Sequence, residues 1–271
     1  MLQSTGHIEV NGTPIWYGIY DHNPQADKET ILFSHGLLFS GDMFLGQVEE
    51  LSKSYKCVVY DHRGQARSGL NGPFDMDTLT SDAIQLIEVL NLGSVHFVGL
   101  SMGGFVGMRL AINHKELVRT LTLMDTSADP EVFVFKYNML VQIVKLFGVS
   151  SITSRVMKIM FSPHFLADPE KVALRTKWKN WLKARPKAVI GPVKGVIDRN
   201  SVFDQLGKIE CPTLVIVGED DAATTPDKSE RMVKAISNAR LVTIPKAGHS
   251  SSIEQPEVVL TAMAQFLSAS R

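Results

Sequence analysis

Cysteine is scarce in this sequence, which has two in 271 residues. Cys57 and Cys211 each lie in or beside an apolar, strand-like run, and neither has the spacing of a metal-ligand motif. The pair therefore predicts no disulfide framework, and we interpret both residues as buried strand cysteines. Such sparse cysteine usage is typical of a reducing, cytoplasmic compartment.

An excess of one charge is also missing, because Lys and Arg total 28 and Asp and Glu total 28. This balance argues against a nucleic-acid partner, which would require a basic surface. No apolar run approaches the ~18 residues of a membrane span, and the N-terminus shows no signal-peptide pattern. We therefore expect no membrane partner. With 44% hydrophobic and 21% charged residues, the composition is that of an ordinary globular protein.

Short β-rich runs recur along the chain, with helix-like stretches between them. Residues 8–17 predict a hairpin, with the turn at Asn11 and Gly12. The later runs are continuously apolar rather than alternating, as in strands that helices cover on both faces; they are 30–34, 56–60, 95–99, 120–124, 213–217 and 239–244. The pattern predicts an α/β fold with a mostly parallel central sheet flanked by helices.

Residues 126–208 interrupt this rhythm, because they carry amphipathic helical patterns and no clear strand. We interpret them as an inserted helical cap, or lid, on a core formed by residues 1–125 and 209–271. The insert has 14 Lys or Arg and 6 Asp or Glu, whereas the remainder has 14 and 22. This asymmetry favours attraction between cap and core; attraction of anionic substrates is the alternative.

The strongest local signal is G-L-S-M-G-G at 99–104, between a predicted strand and a predicted helix. A serine on such a tight turn adopts a strained backbone conformation. That strain is tolerated only where the residues two before and two after it are small. Gly99 and Gly103 meet this condition, and the following helix presents its positive end to developing negative charge. Ser101 is therefore the candidate nucleophile.

A serine hydroxyl needs a base to remove its proton. Among the eight histidines, His249 has the most suitable position, because it follows a predicted strand and precedes a terminal helix. The neighbouring Gly248 gives this loop freedom. We predict that His249 is the base.

The histidine base requires a carboxylate to orient it. Several acidic residues follow the predicted strand at 213–217, which comes before the strand that leads to His249. Glu219, Asp220 and Asp221 are consecutive there, and Asp125 follows another strand. Spacing alone does not choose among them.

Two backbone amides are candidates for an oxyanion hole. His35 and Gly36 follow the strand at 30–34, and the small glycine allows the next amide, that of Leu37, to turn toward the site. Met102, directly after the candidate nucleophile, supplies the second amide. We interpret His35 as a structural histidine that braces this loop.

Bulky apolar residues of the predicted cap are candidates for the walls of a substrate pocket. The candidates for substrate binding are Phe133, Met139, Met160, Phe161 and Trp178. Methionine side chains would give such a pocket tolerance of substrate shape.

With these motifs in this order, nearly the whole chain resembles the α/β-hydrolase superfamily. H-G at 35–36 resembles its oxyanion loop, and 61–68 its D-x-R-G-x-G-x-S turn, with Ala66 in place of the usual glycine. The segment 99–104 resembles its nucleophile elbow, 218–221 its G-x-x-D and 247–249 its A-G-H. The resemblance implies an α/β-hydrolase fold and selects Asp221 as the acid.

Within the superfamily, the sequence is similar to 3-oxoadipate enol-lactonases and to carboxylesterases. This resemblance implies hydrolysis of a small-molecule ester or lactone without a metal or other cofactor. We expect the protein to be a monomer or homodimer. A serine at 101 argues against epoxide hydrolases and haloalkane dehalogenases, which have an aspartate there. Two alternatives stay open: a C–C bond hydrolase of aromatic catabolism with the same triad, and a ligand-binding, receptor-like protein with vestigial turnover.

Overall fold

The computed structural model describes residues 2–270. Met1 and Arg271, the outer ends of the two predicted core segments, lie outside the described residues. Across the described chain, no helix combines the length and apolarity needed to cross a membrane.

Eight strands form one sheet in the order β1-β2-β4-β3-β5-β6-β7-β8. They are β1 (Leu2–Val10), β2 (Thr13–Tyr20), β3 (Thr30–Ser34), β4 (Lys56–Tyr60), β5 (Val95–Leu100), β6 (Val118–Met124), β7 (Thr213–Gly218) and β8 (Ala239–Ile244). β1 and β2 form the predicted antiparallel hairpin, and β2 pairs antiparallel with β4. All other neighbouring strands are parallel.

Helices connect the strands. They are α1 (Leu45–Leu51), α2 (Met76–Val89), α3 (Met102–Asn113), α4 (Val134–Phe147), α5 (Thr153–Met160), α6 (Pro163–Ala167), α7 (Val172–Lys183), α8 (Ile190–Ile197), α9 (Pro226–Ala235), α10 (Ser251–Glu254) and α11 (Pro256–Ala269). Short 3-10 helices occur at Gly41–Phe44, Lys115–Leu117, Val149–Ile152, Pro169–Lys171, Lys187–Val189 and Phe203–Lys208.

The sheet has a hydrophobic core on each face. Helices α1 and α11 contribute Val48 and Met263 to one core, and α2, α3 and α9 contribute residues such as Leu86 and Met232 to the other. Because both faces are covered, every residue of β3, β5 and β7 is buried. The predicted mostly parallel sheet flanked by helices is thereby confirmed, and its burial explains the continuous apolar runs.

The elements between β6 and β7 are all helical and pack against the loop that follows β3. Phe39 of this loop contacts Trp178, with ring centroids 5.2 Å apart, and Phe161, with centroids 6.3 Å apart. The indole N–H of Trp181 donates to the backbone oxygen of Leu38 at 2.9 Å. These contacts hold α7 and the end of α5 against the loop that follows β3.

Candidate active site

The candidate residues meet at the carboxyl ends of neighbouring parallel strands, where open α/β sheets bind ligands. Gly36 follows β3, Ser101 follows β5, Asp125 follows β6, Asp221 follows β7 and His249 follows β8. Because these strands run parallel, residues far apart in sequence converge at one edge.

Ser101 lies on a sharp turn between β5 and α3, with φ 52° and ψ −112°. This left-handed conformation is strained for a residue with a side chain, and its surroundings enforce it. A Cβ atom on Gly99 would overlap the carbonyl group of Gly103, and one on Gly103 would overlap the carbonyl oxygen of Ser34. The amide of Ser101 donates to the oxygen of Met124 at 2.8 Å. The glycines therefore permit a close approach of three backbone segments.

The side chains of Ser101, His249 and Asp221 form a continuous hydrogen-bonded chain. His249 donates from Nδ1 to Oδ2 of Asp221 at 2.9 Å. The other ring nitrogen, Nε2, is then the acceptor for the hydroxyl of Ser101, with Oγ at 2.9 Å. All three residues are buried. The arrangement can draw the proton from the serine hydroxyl onto the imidazole.

The carboxylate of Asp221 is held by its own loop as well as by His249. Its Oδ1 accepts from the backbone amides of Ala223 at 2.8 Å and Thr224 at 2.9 Å. The hydroxyl of Thr224 donates to Oδ2 at 2.9 Å. These donors fix the carboxylate in the orientation that meets His249.

The charges of His249 and Asp221 determine the protonation state of each residue. Burial alone would lower the pKa of His249, but the carboxylate of Asp221, together with those of Asp125 and Glu254, outweighs burial and raises this pKa above its ordinary value. Burial alone would raise the pKa of Asp221, yet His249 and the loop hydrogen bonds lower it below its ordinary value. Asp221 is therefore ionised at neutral pH, and it stabilises an imidazolium at His249.

The neighbouring carboxylates have other partners. Glu219 accepts from the backbone amide of Lys246 at 3.2 Å. Asp220 lies with Oδ2 3.8 Å from Nε2 of His164, in a partly exposed position. Within the run 219–221, Asp221 is the residue that bonds to His249.

Asp125 is the other acidic residue that the sequence offered as a candidate, and it supports the loops that carry the site. It is fully buried, and its Oδ1 accepts from the amide of Gly218 at 2.9 Å. Its Oδ2 accepts from the amide and hydroxyl of Ser251, at 3.0 and 2.6 Å. Burial, followed by the charge of Asp221, raises the pKa of Asp125 to about 7. Asp125 thus connects the loops that carry Asp221 and His249.

The two predicted oxyanion donors flank Ser101. A Cβ atom on Gly36 would lie 3.6 Å from the Cβ of Ser101, so the loop after β3 passes directly beside the serine. Met102 is the first residue of α3. Among residues 2–270, neither the amide of Leu37 nor that of Met102 has a hydrogen-bond acceptor. Both donors are available for a developing oxyanion.

His35 braces this loop in a neutral state. Its Nδ1 donates to the oxygen of Gly36 at 2.7 Å, and its Nε2 accepts from the amide of His62 at 2.9 Å. Burial lowers the pKa of His35 below its ordinary value. The residue has no free ring nitrogen with which to act as a second base.

A cavity of about 140 Å³ lies beside Ser101 and His249. Most of its wall consists of aliphatic side chains from α4, α5 and α8, including Leu140, Val144, Val156, Ile159 and Val193. Glu131, Tyr137, Arg199 and Thr224 add polar groups to the wall. A cavity of this character accepts an apolar group attached to the reacting carbonyl.

Of the five predicted substrate-binding residues, Met160 lines this cavity and the other four do not. Phe133 and Met139 are 56% and 53% exposed. Phe161 and Trp178 are buried against Phe39 instead. These four residues lie outside the wall of this cavity, because bulk and hydrophobicity alone do not reveal which side chains face it.

Most of the residues that line the cavity were not among those predicted from the sequence. The inner face of α4 consists of Tyr137, Leu140, Val141 and Val144. Their spacing of three, four and seven residues is the signal that identifies one helix face. No comparable signal marks Thr224 or Arg199, because their positions depend on loops that fold back from distant parts of the chain.

No group of three or more His, Cys, Asp or Glu side chains in the described chain is arranged to hold a metal ion. Cys57 and Cys211 are free thiols. Burial raises the pKa of Cys211 to about 11 and that of Cys57 further.

Comparisons with known proteins agree with this architecture. The family model for the alpha/beta hydrolase fold matches residues 29–256. RutD of Agrobacterium fabrum, named provisionally as a carbamate hydrolase, is 24% identical, with 96% of this chain and 97% of the relative covered. The 3-oxoadipate enol-lactonase 2 of Acinetobacter baylyi is 28% identical over 86% of each chain.

Solved structures are similar over their whole length. The enol-lactonase from Burkholderia xenovorans superposes with a TM-score of 0.88 at 26% identity, covering 97% of this chain and 100% of that one. A thermophilic esterase from Thermogutta terrifontis superposes with a TM-score of 0.87 at 25% identity, covering 100% and 99%. With its sheet order and this family match, the chain belongs to the alpha/beta hydrolase fold family.

Proposed function

We propose that this protein is a serine hydrolase that cleaves carboxylic esters or lactones through an acyl-enzyme on Ser101. The observation that carries the proposal is the hydrogen-bonded chain from Ser101 through His249 to Asp221, which lies beside an apolar cavity. Nucleophile, base and orienting acid are thus already within hydrogen-bond distance of one another.

In the first step, Oγ of Ser101 attacks the carbonyl carbon while Nε2 of His249 takes the hydroxyl proton. The amides of Leu37 and Met102 donate to the oxyanion of the tetrahedral intermediate. When the C–O bond breaks, His249 returns the proton to the leaving alkoxide, and the alcohol departs. In a lactone, this alcohol stays attached to the acyl chain.

In the second step, water attacks the acyl-enzyme. His249 removes a proton from the water, the same amides stabilise the second oxyanion, and Ser101 leaves as the alcohol after receiving that proton. The carboxylic acid is released, and the enzyme returns to its starting state. Asp221 stabilises the imidazolium in both steps.

The character of the cavity supports esters with a small or medium apolar acyl group. Its aliphatic wall from α4, α5 and α8 offers dispersion contacts and few polar partners. The relatives are named for lactone, ester and carbamate hydrolysis, and all of these reactions begin with attack on a carbonyl carbon.

The test is steady-state hydrolysis of p-nitrophenyl esters from acetate to decanoate, together with several lactones and carbamates. Ser101→Ala is the control that separates active-site turnover from background. We expect many turnovers per chain on short or medium esters or on lactones, and a loss of nearly all turnover in Ser101→Ala. Equal rates in the two proteins would contradict the mechanism. Absence of turnover on the whole panel by folded protein would favour the C–C hydrolase or the receptor-like alternative.

A further inference from the structure

Gln65 is a buried glutamine in the turn that follows β4, and it touches both sides of the proposed oxyanion hole. Its Oε1 accepts from the amide of Leu38 at 2.7 Å. Its Nε2 donates to Sδ of Met102 at 3.5 Å. The residue is 3% exposed. The side chain of Gln65 therefore connects Leu38, the residue after Leu37, to Met102.

The contact with Leu38 holds a strained part of the oxyanion loop. Leu38 has φ 69°, in the left-handed region that a leucine rarely adopts. The peptide between Leu37 and Leu38 carries the N–H of Leu38, and it is joined through the Cα atom of Leu37 to the peptide that carries the N–H of Leu37, so the placement of one planar peptide constrains the other. The hydrogen bond to Gln65 stabilises the strained geometry directly, because it fixes the N–H of Leu38 itself.

The contact with Met102 acts on the other donor. The side chain of Met102 is fully buried, and its backbone amide is the second proposed oxyanion donor. Thioether sulfur is a weak acceptor, so this contact contributes mainly by packing at a defined distance. It holds the first turn of α3 against the turn that carries Gln65.

Gln65 lies between two residues with left-handed backbone conformations. Gly64 and Ala66, on either side, have φ values of 69° and 48°. The amide group has one consistent orientation, since the N–H of Leu38 requires an oxygen opposite it and leaves the NH₂ group toward the sulfur. Gln65 is thus a buried residue whose amide oxygen and nitrogen both have partners.

We infer that Gln65 is a positioning residue that sets the separation and direction of the Leu37 and Met102 amides. The inference rests on the proposed function, since it concerns the oxyanion of the same reaction. It assigns a catalytic consequence to a residue that lies outside the cavity wall and whose amide bonds to Leu38 and Met102.

A purely structural role and a positioning role give different kinetics. An oxyanion exists in the tetrahedral intermediate and not in the bound substrate, so misplaced donors lower kcat and leave KM nearly unchanged. Binding of a boronic acid, which forms a tetrahedral adduct on the serine, requires the same donors. A residue that only stabilises the fold affects the melting temperature and neither of these quantities.

The experiment compares Gln65→Met with a matched control, Gln47→Met. Gln47 is also a fully buried glutamine, and it donates to the backbone oxygens of Ser252 at 3.0 Å and Pro256 at 3.2 Å. Gln65→Asn is a second, milder variant, because asparagine is one methylene too short to reach both partners. For each protein, kcat, KM, the dissociation constant of butylboronic acid and the melting temperature are measured.

For Gln65→Met we expect kcat to fall about 10- to 100-fold, somewhat less than the loss of a whole oxyanion donor. KM should stay within about threefold, and affinity for butylboronic acid should fall by a factor similar to that of kcat. Gln47→Met should keep its kcat and its boronic acid affinity even if its melting temperature falls. If Gln65→Met does not fold, the same pattern is required of Gln65→Asn.

Unchanged kcat and boronic acid affinity in a folded Gln65 variant would overturn the inference while leaving the proposed function intact. Parallel losses of kcat in the Gln65 and Gln47 variants would also overturn it, since they would indicate general destabilisation. If the wild type shows no turnover that depends on Ser101, the proposed function fails, and the inference fails with it.

Discussion

Gly103 packs directly against the carbonyl oxygen of Ser34, so closely that a Cβ atom at position 103 would overlap this oxygen. The contact joins the first turn of α3 to the end of β3. It therefore fixes the distance between the elbow that carries Ser101 and the loop that carries Leu37.

Replacement of Gly103 by alanine should disrupt the site. Because the added methyl group meets backbone rather than a flexible side chain, we expect the free energy of unfolding to fall by about 3 kcal/mol or more. Turnover should also be lost. The measurements are urea unfolding and ester hydrolysis.

Gly191→Ala is the matched control, since Gly191 is the second residue of α8 as Gly103 is of α3. No atom lies within 4 Å of a Cβ built there. Alanine should change stability by no more than about 1 kcal/mol, in the stabilising direction. Equal effects of the two substitutions would show that the contact with Ser34 is unimportant.

Asp221→Asn should lower kcat by orders of magnitude with the fold intact. Asparagine presents an NH₂ group or a neutral oxygen to Nδ1 of His249, so the imidazole loses both its orientation and its charge partner. Asp220→Asn should leave kcat within about threefold, because Asp220 does not reach His249. A large loss in Asp220→Asn with little loss in Asp221→Asn would move the acid by one residue.

On its acid side, the pH profile of kcat/KM should report an apparent pKa above the ordinary value for histidine, ~6.5. Asp221 raises the pKa of His249 despite its burial, and only the neutral imidazole can accept the serine proton. Removing this carboxylate in Asp221→Asn should shift the acid limb of kcat/KM to lower pH. The profile is measured from pH 4 to 10; a limb that stays in place would show that another group titrates.

The raised pKa of His249 should also make the free energy of unfolding depend on pH. Because the folded state raises the pKa of His249, the His249–Asp221 pair stabilises the fold fully below the unfolded-state pKa of ~6.5. This contribution is lost as the pH rises through the higher, folded-state pKa. Relative to His249→Gln, the wild type should therefore be more stable just below pH ~6.5, where Asp221 is still ionised, than above the folded-state pKa of His249, as measured by urea unfolding. A difference that increases with pH would have the wrong sign.

Met160→Ala should change the preference for acyl chain length, because Met160 lines the cavity. The shortened side chain leaves additional apolar space, so kcat/KM for longer p-nitrophenyl esters should rise relative to acetate. Met139→Ala is the control, since Met139 is 53% exposed and lies outside the cavity wall. An identical change in both variants would place the acyl group elsewhere.

Much of the fold followed from local patterns. The turn at Asn11 and Gly12 and the continuous apolar strands predicted a hairpin and a parallel sheet, and both are present. Such patterns are readable because strand burial on two faces requires apolar residues at every position. The boundaries of helices were less exact: the sequence placed a helix after the segment 99–104, whereas α3 already begins at Met102 and extends to Asn113.

For the site, the sequence by itself specified the residues whose chemistry is local: the glycines around Ser101, and a histidine and several acids on loops after strands. Spacing left Asp221 and Asp125 both open, and the family resemblance favoured Asp221; the tertiary structure shows that Asp221 bonds to His249 and that Asp125 supports the loops beneath it. It also decided that Leu140 and Val144 line the cavity while Phe133 faces solvent, and it brought Gln65 between Leu38 and Met102. The physical reason is that these relationships depend on the rotation of each helix and the path of each loop, which are set by packing between segments far apart in the chain.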